Sequence, residues 1–158
     1  MVMSRMICAA IFMSVAAAPV AAQSPMDRMF PDRSGCYLRQ YSPDHLAKHP
    51  EQRVTRIALT AEADVADPML GLWVDVTLRG VPGGEYLALA YCENIDDTLY
   101  CSMEGDAGAF TITPRKDGAI LIEVGRYGMS FENEAGFVSL EQKRGDDRSF
   151  LLQKVACS

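Results

Sequence analysis

The sequence predicts an all-β protein: a small antiparallel β-barrel or sandwich of about eight short strands, with one short helix and two disulfides. Three observations lead to this prediction. Apolar and polar residues alternate along several segments, and turn residues recur at intervals of roughly 8 to 12 residues. No segment has a helical period long enough to cover a parallel sheet. A closed barrel and a sandwich both fit this pattern.

The N-terminal residues have the pattern of a cleavable signal peptide. Arg5 precedes an uncharged apolar run from Ile7 to Ala18, which is shorter than the roughly 20 residues that a membrane span needs. Small residues follow this run, and we place cleavage after Ala22. Removal of residues 1–22 leaves 136 of the 158 residues, which is the size of one domain. We therefore expect the mature protein in the periplasm or outside the cell.

The segment after the cleavage site carries prolines and charges without any period. Residues 23–34 are therefore predicted to be a flexible lead-in. Further along, Ser42 and Pro43 have the pattern of a helix N-cap followed by proline at the first helical position, and Pro50 ends the pattern. A helix of at most two turns is predicted over residues 43–49.

A single β domain is predicted over residues 35–158, and its clearest strand covers residues 72–79. The apolar residues of that strand lie on one side, and Trp73, Asp75 and Arg79 lie on the other. The other predicted strands cover residues 36–41, 54–65, 85–92, 99–103, 109–113, 119–124, 129–132, 137–141 and 149–155.

Four cysteines remain after cleavage, and an even number in an exported chain indicates two disulfides. Three pairings are formally open. We favour Cys92 with Cys101, which are neighbours in one predicted hairpin, and Cys36 with Cys157, which lie near the two ends of the domain. The spacing does not fit a four-cysteine zinc site, because eight residues separate the closest two cysteines, Cys92 and Cys101.

The charge of the mature chain limits its partners. Without residues 1–22 the chain has 14 basic and 21 acidic residues, a formal charge of −7. An acidic surface disfavours nucleic acid and anionic membranes and favours a basic protein or a cation. No motif indicates a cofactor.

One strand surface is a candidate for binding a ligand or partner. Trp73 lies on the polar side of its strand, and Trp73, Asp75, Arg79 and Tyr91 are the predicted contact residues. Two alternatives remain open from the sequence. The register could be inverted, so that Trp73 lines a cavity, or Trp73 could be an ordinary packing residue.

His45 and His49 form the second candidate site. They lie four residues apart, on one face of the predicted helix, where one metal ion could contact both. The zincin motif requires Glu after the first histidine, where this chain has Leu46, and the spacing indicates no third ligand. Residues 128–132 approach the nucleophile-elbow pattern, but Glu132 replaces its second glycine. The sequence thus predicts no catalytic residue.

These observations favour a bacterial envelope binding module without catalytic activity. By architectural analogy, one version is an inhibitor of a cationic wall-degrading enzyme such as lysozyme. The first alternative is a carrier of a small apolar ligand within the barrel. The second is a metal-dependent enzyme that uses His45 and His49.

Overall fold

The computed structural model describes residues 22–157. The predicted signal peptide, apart from Ala22, lies outside the described residues. The helices are α1 (Pro25–Met29) and α2 (Pro43–Lys48), and 3₁₀ turns cover Pro31–Arg33 and Lys116–Gly118. The strands are β1 (Cys36–Gln40), β2 (Val54–Glu62), β3 (Leu70–Leu78), β4 (Glu85–Ile95), β5 (Thr98–Met103), β6 (Gly108–Pro114), β7 (Ile120–Asn133), β8 (Gly136–Leu140) and β9 (Ser149–Val155). No helix among these residues has the length and apolarity that a membrane crossing requires.

Eight strands form a closed antiparallel barrel. Consecutive strands pair from β1 to β7, β9 pairs with β7, and β9 pairs with β1 to complete the ring. β8 pairs with the second half of β7, so this hairpin extends from the ring. The predicted all-β antiparallel fold is confirmed. Of the two architectures that the sequence left open, a barrel and a sandwich, the structure is the barrel.

The interior of the barrel is filled by the apolar side of each strand. In β3, Leu72, Val74 and Val76 point inward and are fully buried, whereas Trp73 and Asp75 point outward. This is the register that the alternation predicted, because a strand with one buried face sends successive side chains to opposite sides. Trp73 therefore lies on the outer surface, and the inverted register is not found.

One end of the barrel is covered by α1, which contacts β4, β5 and β6. Met26, Met29 and Phe30 are buried there, and the Tyr37 hydroxyl donates to the Met29 carbonyl at 2.6 Å. The prediction of a flexible lead-in over residues 23–34 differs from this structure. Three apolar residues spaced for one helix face are enough to anchor a short helix on an open barrel end.

The opposite end is covered by the β7–β8 hairpin. Phe131 and Leu140 are buried, and the Phe131 ring packs on Tyr86 with 6.4 Å between ring centroids. The Asn133 side-chain amide donates to the carbonyls of Gly83 and Glu85, at 2.7 Å each. These bonds tie the hairpin tip to the turn between β3 and β4.

Both predicted disulfides are present. Cys36 at the start of β1 bonds to Cys157 after β9, with 5.3 Å between Cα atoms. Cys92 and Cys101 bond across the directly paired strands β4 and β5, with 4.0 Å between Cα atoms. The short helix is also confirmed, since α2 starts at Pro43 with Ser42 as its N-cap.

Two strands predicted at residues 119–124 and 129–132 form one long strand, β7, with a bulge at residues 125–128. The pairing with β6 skips from Val124 to Met129 across this bulge. Glycine is required here, because a Cβ at Gly125 would lie 2.5 Å from the Ala109 carbonyl oxygen. The bulge directs Tyr127 into solvent, and this side chain is 79% exposed.

Candidate functional site

Three of the four predicted contact residues lie together on the outer surface of β3, β4 and β5. We call this surface the aromatic face, and its apolar members are Trp73, Leu87, Leu89, Tyr91 and Tyr100. Trp73 lies opposite Leu89 in the strand pairing, and Asp75 lies opposite Leu87. Leu87 is 59% exposed and Tyr100 is 39% exposed, so the face offers apolar area to a partner.

Acidic side chains border the aromatic face. Asp75, Glu85 and Glu93 occupy outward positions of the same strands. Arg56 on β2 donates to Asp75 at 2.6 Å, so these two charges offset each other and Glu85 and Glu93 supply the remaining negative charge of the border. The face thus combines aromatic contact area with carboxylates, a combination suited to binding a basic surface.

The negative charge of the chain is concentrated in this half of the barrel. Residues 57–114, which include β3 to β6, hold ten acidic residues and one basic residue, Arg79. The rest of the described chain holds 11 acidic and 13 basic residues. No lysine or arginine occurs between Gly80 and Pro114. The negative net charge of the chain therefore lies on the side of the barrel that carries the aromatic face.

Trp73 is held in place by a carboxylate. Its indole N–H donates to Glu62 on β2, and the Asp64 backbone N–H donates to the same carboxylate at 3.2 Å. The hydrogen bond from Trp73, followed by that from Asp64, lowers the pKa of Glu62 below its ordinary value. Both bonds stabilise the charged form of the carboxylate.

Replacement of Trp73 by phenylalanine is expected to raise the pKa of Glu62 toward its ordinary value, since the stronger donor is lost. In the wild type, the stabilisation from this bond is present above the ordinary carboxylate pKa. It is lost as the pH falls through the lowered pKa of the folded state. Titration of the Glu62 carboxyl by ¹³C NMR measures the shift. An unchanged Glu62 pKa in W73F would contradict this role of the indole.

Arg79, the fourth predicted contact residue, does not belong to the aromatic face. Its guanidinium donates to the carbonyls of Leu46 at 3.1 Å and His49 at 3.2 Å, and also to that of Pro50. Arg79 lies just beyond β3, where its side chain reaches the last turn of α2. It satisfies carbonyls that the helix leaves without partners.

His45 and His49 lie on α2 above an open cleft. Their rings stack with 4.3 Å between centroids and 19° between planes. The His45 Nε2 lies 3.0 Å from the Gln52 Oε1, and the Gln52 Nε2 donates to the Val54 carbonyl. The Gln52 side chain therefore presents its carbonyl oxygen, which is an acceptor, to His45. The His45 Nε2 is then the donor in this contact.

This arrangement does not fit the predicted metal site. A metal ion lies close to the plane of each imidazole that binds it, whereas His45 and His49 have nearly parallel, stacked planes. The His45 Nε2 is also engaged by Gln52. Within residues 22–157, no group of three candidate ligand residues is placed to hold a metal ion.

The β7–β8 hairpin exposes two further aromatic side chains that the sequence did not single out as contact residues. Tyr127 is 79% exposed, and Phe137 on β8 is 69% exposed. Both lie outside the aromatic face. The sequence did contain a signal for the bulge that exposes Tyr127. Gly125 and Gly128 lie within one strand, and glycine inside a strand often marks a bulge.

The fold and its outer surfaces define a small, disulfide-bonded antiparallel β-barrel protein whose candidate site is a strand face. Neither a protein-family model, nor a curated protein, nor a solved structure matches the chain.

Proposed function

We propose that this protein is a non-catalytic binding module of the bacterial envelope that captures a basic protein on its aromatic face. The cationic target is a wall-degrading enzyme of the lysozyme type, which the module inhibits. The observation that carries the proposal is that the exposed Tyr100 and the half-buried Trp73 and Tyr91 lie in the part of the chain where negative charge is concentrated, residues 57–114.

The filled interior along β3 supports binding on the outer surface. The inward side chains of β3 are fully buried, α1 covers one end of the barrel, and the β7–β8 hairpin covers the other. A carrier would need an internal space and an entrance to it. Trp73 points away from the interior, so it cannot line such a space.

The composition of the face supports a protein partner. Tryptophan and tyrosine are enriched among the residues that contribute most to binding energy at protein interfaces. A carboxylate border adds long-range attraction to a basic protein and suppresses acidic partners. Arg56 is paired with Asp75, and Arg79 is bound to carbonyls at the end of α2, so neither of these cations faces the partner freely.

The disulfides support an extracytoplasmic location. Two disulfides in a chain of this length are typical of an oxidising compartment such as the periplasm or the extracellular space. The predicted signal peptide agrees with that location. Lysozyme-type enzymes act on the same compartment, so a partner of this class is accessible.

The test is a lysozyme assay with increasing amounts of the purified, oxidised protein. The wild type is expected to lower lysozyme activity at micromolar concentration and to bind less tightly as salt increases. Trp73→Ala is expected to weaken inhibition about 30-fold, which corresponds to the ~2 kcal/mol of an interface hot spot.

Phe137→Ala is the matched control, because it removes an exposed aromatic ring outside the aromatic face. It should inhibit as the wild type does. Full lysozyme activity at micromolar wild-type protein would exclude this target. Inhibition that is lost in F137A but kept in W73A would place the binding surface on the β7–β8 hairpin and refute the proposal.

A further inference from the structure

A cleft opens in the barrel wall where β1 and β9 separate. These two strands pair over only three residues, from Cys36 to Leu38 on β1. Residues 149–152 of β9 pair with β7 on the other side of β9, and the β1–β9 pairing does not extend to them. The resulting opening, which we call the seam cleft, has a volume of about 310 Å³. Its lining includes Arg39, Tyr41, His45, His49, Leu121 and Leu151.

The seam cleft contains Arg39, a cation without a carboxylate partner among residues 22–157. Within the described part of the chain, no carboxylate lies at ion-pair distance from the Arg39 guanidinium. The Arg39 Nε is buried and is the one buried side-chain nitrogen or oxygen in residues 22–157 without a hydrogen-bond partner. Arg39 as a whole is half-buried, but its Nε is a buried donor, and a buried donor without a partner indicates a missing acceptor.

We propose that the seam cleft binds a small organic carboxylate whose oxygens pair with Arg39. The planar guanidinium is a good match for a carboxylate, to which it can donate two parallel hydrogen bonds. Leu121 and Leu151 provide an apolar wall for the body of the ligand. This site is separate from the aromatic face and independent of the proposed function.

The other side chains of the seam cleft also favour an anion. The Arg39 guanidinium carbon lies 4.7 Å from the centre of the Tyr41 ring, and the His45 ring packs on the same ring at 4.8 Å. Burial raises the pKa of Tyr41, so the phenol keeps its proton and can donate. The one carboxylate that lines the seam cleft, Asp146, lies 3.6 Å from the His49 Nδ1.

Benzoate is a suitable probe, because it combines a carboxylate with an apolar ring that the seam cleft can cover. The purified, oxidised protein labelled with ¹⁵N is titrated, and the Arg39 Nε–H resonance is followed. A saturable shift is expected with benzoate and none with benzamide, its neutral counterpart. Arg39→Gln should weaken benzoate binding by about tenfold or more, the loss of a charged hydrogen-bonded pair.

The exposed Arg115 supplies the matched control, since R115Q removes an equal charge at a residue that does not line the seam cleft. It should bind benzoate as the wild type does. The proposal is overturned if wild-type protein shows no saturable shift, or if benzamide gives the same shift as benzoate. It is also overturned if zinc chloride, and not benzoate, perturbs the residues of the seam cleft. The wild-type comparison of the two probes remains decisive if R39Q does not fold.

Discussion

Replacement of Phe30 by alanine is expected to lower the free energy of unfolding by about 3–5 kcal/mol, the usual cost of removing a buried phenylalanine. Phe30 is fully buried and packs edge-on against Tyr37, with 5.2 Å between ring centroids. The substitution leaves a cavity between α1 and the barrel end. It also weakens the docking of the helix whose Met29 carbonyl accepts from Tyr37.

Urea unfolding followed by Trp73 fluorescence measures this effect. Phe137→Ala is the control, and it should change the free energy of unfolding by no more than about 0.5 kcal/mol because Phe137 is 69% exposed. A loss below about 1 kcal/mol for F30A would mean that residues 23–34 are not docked in solution. That result would restore the flexible lead-in that the sequence predicted.

Loss of the Cys36–Cys157 disulfide is expected to lower the free energy of unfolding by up to about 4.9 kcal/mol, because it closes a loop of roughly 122 residues. The Cys92–Cys101 disulfide closes a loop of roughly 10 residues and should contribute up to about 2.7 kcal/mol. The difference arises from the unfolded chain, whose freedom is reduced more by the longer loop.

Two double variants measure the contribution of each disulfide separately. Each measurement compares the oxidised and reduced forms of the same variant, so the alanine substitutions are the same on both sides of the comparison. In Cys92→Ala/Cys101→Ala, addition of reductant breaks only the Cys36–Cys157 bond. In Cys36→Ala/Cys157→Ala, it breaks only the Cys92–Cys101 bond. The decrease in unfolding free energy on reduction should be larger in the first variant. A larger decrease in the second would contradict the loop-entropy explanation.

The all-β antiparallel class could be predicted from sequence because the strands have one buried face, whereas the choice between a barrel and a sandwich stayed open. In β3, the alternation from Leu72 to Leu78 specified which side chains point inward, and the structure has that register. The disulfides followed from the hairpin position of Cys92 and Cys101 and from the terminal positions of the other two cysteines. Local spacing was sufficient for β3 and for the Cys92–Cys101 hairpin, whereas the Cys36–Cys157 pairing followed from the positions of both cysteines near the ends of the domain.

The docking of α1 could not be predicted with the same rules. A five-residue helix has too few residues to establish a period. Ser24 as N-cap and Pro25 at the first helical position repeat the start signal that located α2, but the charges and prolines of this segment were interpreted as a loop. Its stability comes from Met26, Met29 and Phe30 packing against β4 to β6, which are distant in sequence. Such tertiary contacts override a weak local preference.

The candidate site was found in part. Trp73, Asp75 and Tyr91 were identified because a tryptophan on the polar side of a strand is unusual. Leu87 and Leu89 were missed, since both sides of β4 are apolar in sequence and the outward side could not be chosen. The absence of lysine and arginine between Gly80 and Pro114 was a usable signal, because it marks the acidic half of the barrel.

Arg79 was assigned to the face because it continues the alternation of β3. The strand ends at Leu78, so the period of two no longer fixes the direction of the next side chain. Carbonyls at the end of α2 attract the guanidinium instead. Alternation therefore predicts orientation only within the paired part of a strand.

The most direct test of the aromatic face is chemical-shift mapping of the ¹⁵N-labelled protein with unlabelled lysozyme. We expect the largest shifts in Leu70–Leu78, Glu85–Ile95 and Thr98–Met103, and in the indole N–H of Trp73. Shifts confined to β7, β8 and residues 141–148, with an unchanged Trp73 indole resonance, would contradict the proposed binding surface.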